Sequence, residues 1–130
     1  MITRIFLGLQ AMMFMGYGIY CLVEPEALAG AAGVAATSQT GTIELQAMYG
    51  GLQTAVGALC ALGAAVAMYR RYALVTLIFV IGGLAVVRVT LGLMNAEFSG
   101  YNVFAMTYET LTVLAVFWLL RREPQLVPAI

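Results

Sequence analysis

The chain contains no histidine, no lysine and no aspartate, and only 9% of its 130 residues are charged. Without imidazole, haem ligation by histidine, histidine-based acid–base chemistry and most zinc sites are excluded. So little charge also could not furnish the water-facing surface of a small soluble domain. There are only two cysteines. Cys21 lies near one end of the first apolar run and Cys60 deep in the second, so they are expected at different membrane depths, beyond disulfide reach, as packing residues. Met12, Met13 and Met15 would make a soft copper site only with histidine or a nearby cysteine; alone they read as gap-filling core. No catalytic or metal-binding motif is present, so no metal or other cofactor is expected, and a redox centre of the chain's own is not supported. What fills the sequence instead is apolar: 63% of the residues are hydrophobic, which makes lipid the main solvent.

Four apolar runs, about residues 5–23, 43–69, 73–94 and 103–120, are each long enough to cross roughly 30 Å of hydrocarbon at about 1.5 Å per residue. They use nearly the whole length. The prediction is therefore an all-α protein of one domain, an integral membrane four-helix antiparallel bundle, with the lipid bilayer as its first partner and no nucleic acid. The first run follows Arg4 and precedes the small-residue sequence EALAG at residues 26–30, as a cleaved signal peptide would. Its length exceeds the usual apolar region of such a signal, so it reads as a span.

Charge is shared between six arginines and six glutamates, with a formal net of zero. Placement carries the information. Arg4, Arg70, Arg71, Arg121 and Arg122 flank the runs at one end of the bundle, while the connections at the other end carry Glu24, Glu26 and Glu97. The positive-inside rule predicts both termini on the cytoplasmic side. Tyr69, Tyr72 and Trp118 then fall at the inner interface and Tyr20, Phe98 and Tyr101 at the outer one, where amphipathic rings are favoured. Residues 24–42, rich in alanine, glycine, serine and threonine, predict a short interfacial helix after Pro25. Gly50, Gly51, Ala55, Gly57, Ala61 and Ala65 give the second span a small-residue pattern suited to close backbone approach, which makes it the centre of the bundle.

Two charges lie deep inside the apolar runs. Arg88 is seven residues before Asn95 at the outer end of the third span, and Glu109 seven residues after Asn102 at the outer start of the fourth. Seven residues rise about 10 Å, so on antiparallel neighbours the two meet at one depth and are expected to pair, each alone costing about 2.5–3.5 kcal/mol to insert. Tyr17 and Tyr49 reach the same layer from the first two spans; Gln53 follows Tyr49 one turn deeper, and Asn95, Asn102 and Glu44 ring the mouth. Two readings stay open. The pair locks two helices in register, with Tyr49 and Gln53 satisfying its spare valences, or it forms the floor of an outward polar pocket for a head group or small molecule, with proton relay a lesser option. Glu44 has a simpler role available, as a carboxylate in the first turn of a helix.

The stretch IELQAMYGGLQTAVG at residues 43–57, with its Glu, Met-Tyr-Gly-Gly and final Gly, together with Arg88 in a glycine-containing third helix and Glu109 in the fourth, resembles a family of small bacterial four-helix inner-membrane proteins of unknown function, distantly similar to the DoxX-like group. Gln46 stands where that family's pattern has a basic residue, so no anion-binding role carries over to it. The resemblance implies a bacterial inner-membrane bundle and a role for Glu44, Tyr49, Arg88 and Glu109, and supplies no activity. Because some DoxX-like relatives are subunits of quinone-linked oxidoreductases, it also brings in other membrane-protein subunits as partners. The functional expectation is a non-enzymatic module, either an accessory subunit of a membrane complex or a binder of a small amphipathic, lipid-like ligand in the pocket. The alternative is a quinone-binding redox partner or small membrane enzyme using Arg88, Glu109 and Tyr49.

Overall fold

The computed structural model describes residues 1–123, and all regular structure among them is helical. Helices α1 (Ile2–Val23), α2 (Ala27–Ala32), α3 (Gln39–Leu45), α4 (Leu52–Ala65), α5 (Arg70–Met94) and α6 (Gly100–Leu120) follow in chain order. A π-helical turn, Gln46–Gly51, joins α3 to α4, and a 3₁₀ turn, Ala67–Tyr69, precedes α5. Four helical segments are long and apolar enough to cross a membrane: Ile2–Val23, Gln39–Ala65, Ala67–Met94 and Gly100–Leu120. Together they make a multi-pass membrane protein with a helix-bundle fold.

Local chemistry sets the boundaries. α1 stops at Glu24, because a residue before proline is pushed out of the helical region. Short α2 lies just after Pro25 and ends on Gly33 in the left-handed conformation (φ 69°), whose amide donates to the Ala29 carbonyl at 3.1 Å. The second spanning segment starts at Gln39 rather than at residue 43. Ser38, extended at φ −156°, caps it by accepting from the Gly41 amide at 3.1 Å. The same segment ends at Ala65 rather than at Tyr69, since Val66 turns extended (φ −118°, ψ 120°) and breaks the helix. At the far end of α5 the chain makes a Schellman turn: Glu97 N donates to Gly92 O at 2.9 Å and Ala96 N to Leu93 O at 3.4 Å. Ala96 takes the left-handed position (φ 51°) that glycine usually fills.

The neighbours in the bundle are α1 with α4, α4 with α5, and α5 with α6. α1 and α4 approach most closely. A Cβ added to Gly18 would sit 2.6 Å from Thr54 N, one on Gly57 2.6 Å from Met15 N, and one on Gly50 within 3.2 Å of Leu22 N. Of the small residues expected to mediate packing, Gly50 and Gly57 therefore do so, seven positions apart and joined by Gly18 of α1. Gly51, Ala55 and Ala65 are exposed instead.

The α1–α6 side is closed by side chains. Thr3 donates to Glu123, the Tyr108 hydroxyl donates to Gln10 Oε1, and Gln10 Nε2 donates to Thr112 Oγ1 at 3.5 Å. Cys21 and Cys60 are buried and unbridged.

The apolar core is unevenly distributed along the bundle. Leu7, Phe14, Cys60, Leu74, Leu77, Ile81, Val116 and Leu119 form one cluster, which runs from the middle of the bundle, at Phe14 and Ile81, toward the end that carries the flanking arginines. Toward the opposite, glutamate-bearing end, the buried residues of α5 thin out to Ala85 and Gly92. Phe79, Met94 and Phe104, each more than two-thirds exposed, point away from the bundle, as side chains facing lipid do.

Candidate functional site

The site begins where the core ends. On α6, Asn102 and Glu109 are seven residues apart, two helical turns, so they stack on one face. Arg88 projects from α5 between them. Its Nε donates to both Glu109 oxygens, at 3.1 and 3.2 Å, and Nη1 donates to Asn102 Oδ1 at 3.4 Å. The Tyr101 ring lies 5.8 Å from Cζ, within cation–π range. This is the single ion pair found among the described residues, and its two ends differ in exposure. The Glu109 side chain is 7% exposed and that of Arg88 26%. A buried carboxylate is held by Nε, and the Asn102 amide oxygen by Nη1. Nothing among the described residues accepts from Nη2.

Arg88 borders two hollows. The larger, about 510 Å³, is lined by Leu84, Val87, Leu91, Asn95 and Glu97 beside Arg88 and Asn102. The smaller, about 380 Å³, is lined by Ala31, Ala32, Val34, Tyr49, Ser99 and Tyr101, and by Arg88, Glu97 and Asn102 again. Both are within the size range of small-ligand sites. Arg88 stands between them, and α2 and the residues after it form one wall of the smaller.

The local fold explains the placement. Tyr49 belongs to the π-helical turn, a single-turn irregularity that recurs at functional sites, and lines the smaller hollow. Glu97 leaves the Schellman turn, with Oε1 accepting from Ser99 N at 3.3 Å. Gln46, one turn before Gly50, donates to the Leu22 carbonyl at 2.7 Å, tying the π turn to the end of α1.

Arg88 and Tyr49 thus line one hollow, with Glu109 joined to it only through Arg88, and the other expected residues do not join them in the same way. No hydrogen bond runs from Tyr49 to Arg88 or Glu109 among the described residues. Tyr17 neighbours Tyr101 and Cys21 and reaches Arg88 only through the Tyr101 ring. Gln53 lines neither hollow, and its Oε1 is buried without a hydrogen-bond partner among the described residues. Glu44 is exposed on α3 and lines neither hollow. In place of Tyr49 and Gln53, the pair's spare valences are met by Asn102 and Tyr101. Sequence reading placed these two at the mouth and at the interface, and missed Gln10, Tyr108 and Thr112 altogether. Tyr108 adjoins Glu109 in sequence, the one signal that could have drawn attention to it.

The family model of a domain of unknown function, DUF4345, matches residues 2–120. The chain belongs to this family. No curated protein and no solved structure matches it. The DUF4345 match covers all four spanning helices together with every residue of the two hollows, so the site is part of the family domain rather than an appendage to it.

Chemically, the site is a hydrogen-bond donor edge of fixed direction, held over a neutralised floor. The groups that line the hollows are guanidinium, carboxylate, phenol, hydroxyl and amide, with apolar side chains between them.

Proposed function

We propose that this protein is a non-enzymatic membrane module that holds the polar head of a small amphipathic ligand in the hollows beside Arg88. The observation that carries the reading is the partition of the guanidinium. Nε is spent on Glu109, and Nη2 has no acceptor among the described residues while Arg88 lines both hollows. A structural lock alone would turn both faces of the fork onto the carboxylate, the bidentate geometry in which such pairs are strongest. The location we propose is the bacterial inner membrane with both termini cytoplasmic, on the support of the arginine-rich end.

Two measurements test this. Protein purified in mild detergent is expected to retain an amphipathic molecule detectable by mass spectrometry, and Arg88→Gln combined with Glu109→Gln is expected to lose it. A stoichiometric protein partner with no retained small molecule would replace this reading with the accessory-subunit one. For topology, a reporter fused after residue 120 is expected to be active only in its cytoplasmic form. Alkaline phosphatase activity from that fusion would invert the orientation and put the hollows on the cytoplasmic face.

A further inference from the structure

Building on that ligand-binding reading, we infer that the ligand's head group is zwitterionic with a primary ammonium, the phosphoethanolamine head of a bilayer phospholipid, its anionic oxygen on Arg88 and its ammonium on Glu97. The starting observation is that Arg88 and Glu97 line the same two hollows without forming an ion pair. One Glu97 oxygen accepts from Ser99 N, and the other has no partner among the described residues. A donor edge and an acceptor therefore face one space across a gap, each with unused capacity, and a molecule carrying both charges can fill both.

Charge balance narrows the class. Arg88, Glu109 and Glu97 together leave the site with one net negative charge, so a purely anionic head would gain Arg88 while opposing two carboxylates, one of them unshielded. A purely cationic head would leave the Arg88 edge unused. The zwitterion meets opposite charges at both ends. The type of ammonium follows from the lining. Quaternary ammonium groups are recognised by aromatic faces; Tyr49 and Tyr101 line only the smaller hollow, and we place the ammonium in the larger, which has no aromatic lining and offers Glu97 and Asn95 as acceptors of N–H bonds. The apolar wall favours a lipid over a free zwitterion, because Leu84, Val87 and Leu91, 39%, 58% and 51% exposed, run from the hollow along the outer face of α5 where an acyl chain would lie.

The test is lipid retention from defined mixtures. Protein exchanged into mixed micelles of detergent with equal phosphatidylethanolamine, phosphatidylcholine and phosphatidylglycerol is repurified, and bound lipid is quantified by mass spectrometry. Phosphatidylethanolamine is expected to exceed each of the others by about tenfold, the scale of one charge-assisted hydrogen bond. Glu97→Gln, a change at an exposed side chain, is expected to abolish the preference over phosphatidylglycerol. Retention of lipid with no head-group preference, or a preference unchanged by Glu97→Gln, overturns this inference and leaves the binding reading standing. Absence of any retained lipid or other amphipath overturns both. Displacement of bound lipid by millimolar O-phosphoethanolamine alone would overturn the lipid assignment in favour of a soluble zwitterion; no displacement is expected.

Discussion

Arg88→Ala is expected to destabilise the bundle more than Glu109→Ala, although both remove the same ion pair. Without Arg88, Glu109 remains as a carboxylate with 7% side-chain exposure and no other cation within reach. Stranding a buried charge in this way costs about 3–5 kcal/mol, or the group protonates and recovers part of it. Without Glu109, the guanidinium is already 26% exposed beside the hollows and can turn into them, so the loss should be nearer the 1–3 kcal/mol of an unsatisfied polar group, roughly speaking. The combined Arg88→Met, Glu109→Leu replacement, with apolar side chains of similar volume, is expected to be close to the parent in stability. Midpoints of unfolding in detergent for the four proteins give the coupling energy directly. Additive losses would show that the charges act independently. The double replacement also separates the pair's two roles: it should fold and bind no ligand, whereas a register lock without a binding role would leave ligand retention unchanged.

Depth along the membrane normal was legible in the sequence, and rotation about each helix axis was not. The spacing of Arg88 from Asn95 and of Glu109 from Asn102 puts the two charges at one level by arithmetic, and the lengths of the apolar runs announce four spans, the first preferred by its length over a signal peptide. The spans carry little polar periodicity, however, because lipid on the outside and protein on the inside are equally apolar. Tyr49 and Tyr17 consequently share the right level, with Gln53 one turn deeper, but which of them turns toward Arg88 depends on packing. The π turn at Gln46–Gly51 inserts an extra increment of rotation between α3 and α4, so positions before and after it do not lie on one regular helical face. The same limit applies to the boundaries. Apolarity alone carried the second span through Val66, whereas Ser38 was a readable cap that the hydropathy criterion passed over.

Gly18→Ala and Gly57→Ala should each cost about 1–3 kcal/mol, the usual effect of overpacking, and larger side chains at either position should prevent the bundle from closing. Without water, helices associate through close packing rather than hydrophobic burial, and small residues permit that approach. At Gly18 the added Cβ would lie 2.6 Å from Thr54 N and 2.8 Å from Gly50 O; at Gly57 it would lie 2.6 Å from Met15 N. These are backbone atoms, which cannot rotate aside, so relief requires α1 and α4 to separate along their whole contact. The separation would reach the site as well, since Gly50 lies beside Tyr49 in the π turn that walls the smaller hollow. Gly16 supplies the control: it lies on α1 one half-turn from Gly18, and a Cβ there would meet nothing within 4 Å. Gly16→Ala should leave the unfolding midpoint in detergent and the retention of ligand unchanged, while Gly18→Ala lowers both. Equal losses at the two positions would mean that glycine acts in α1 through helix flexibility, and that the α1–α4 seam does not set the geometry of the site.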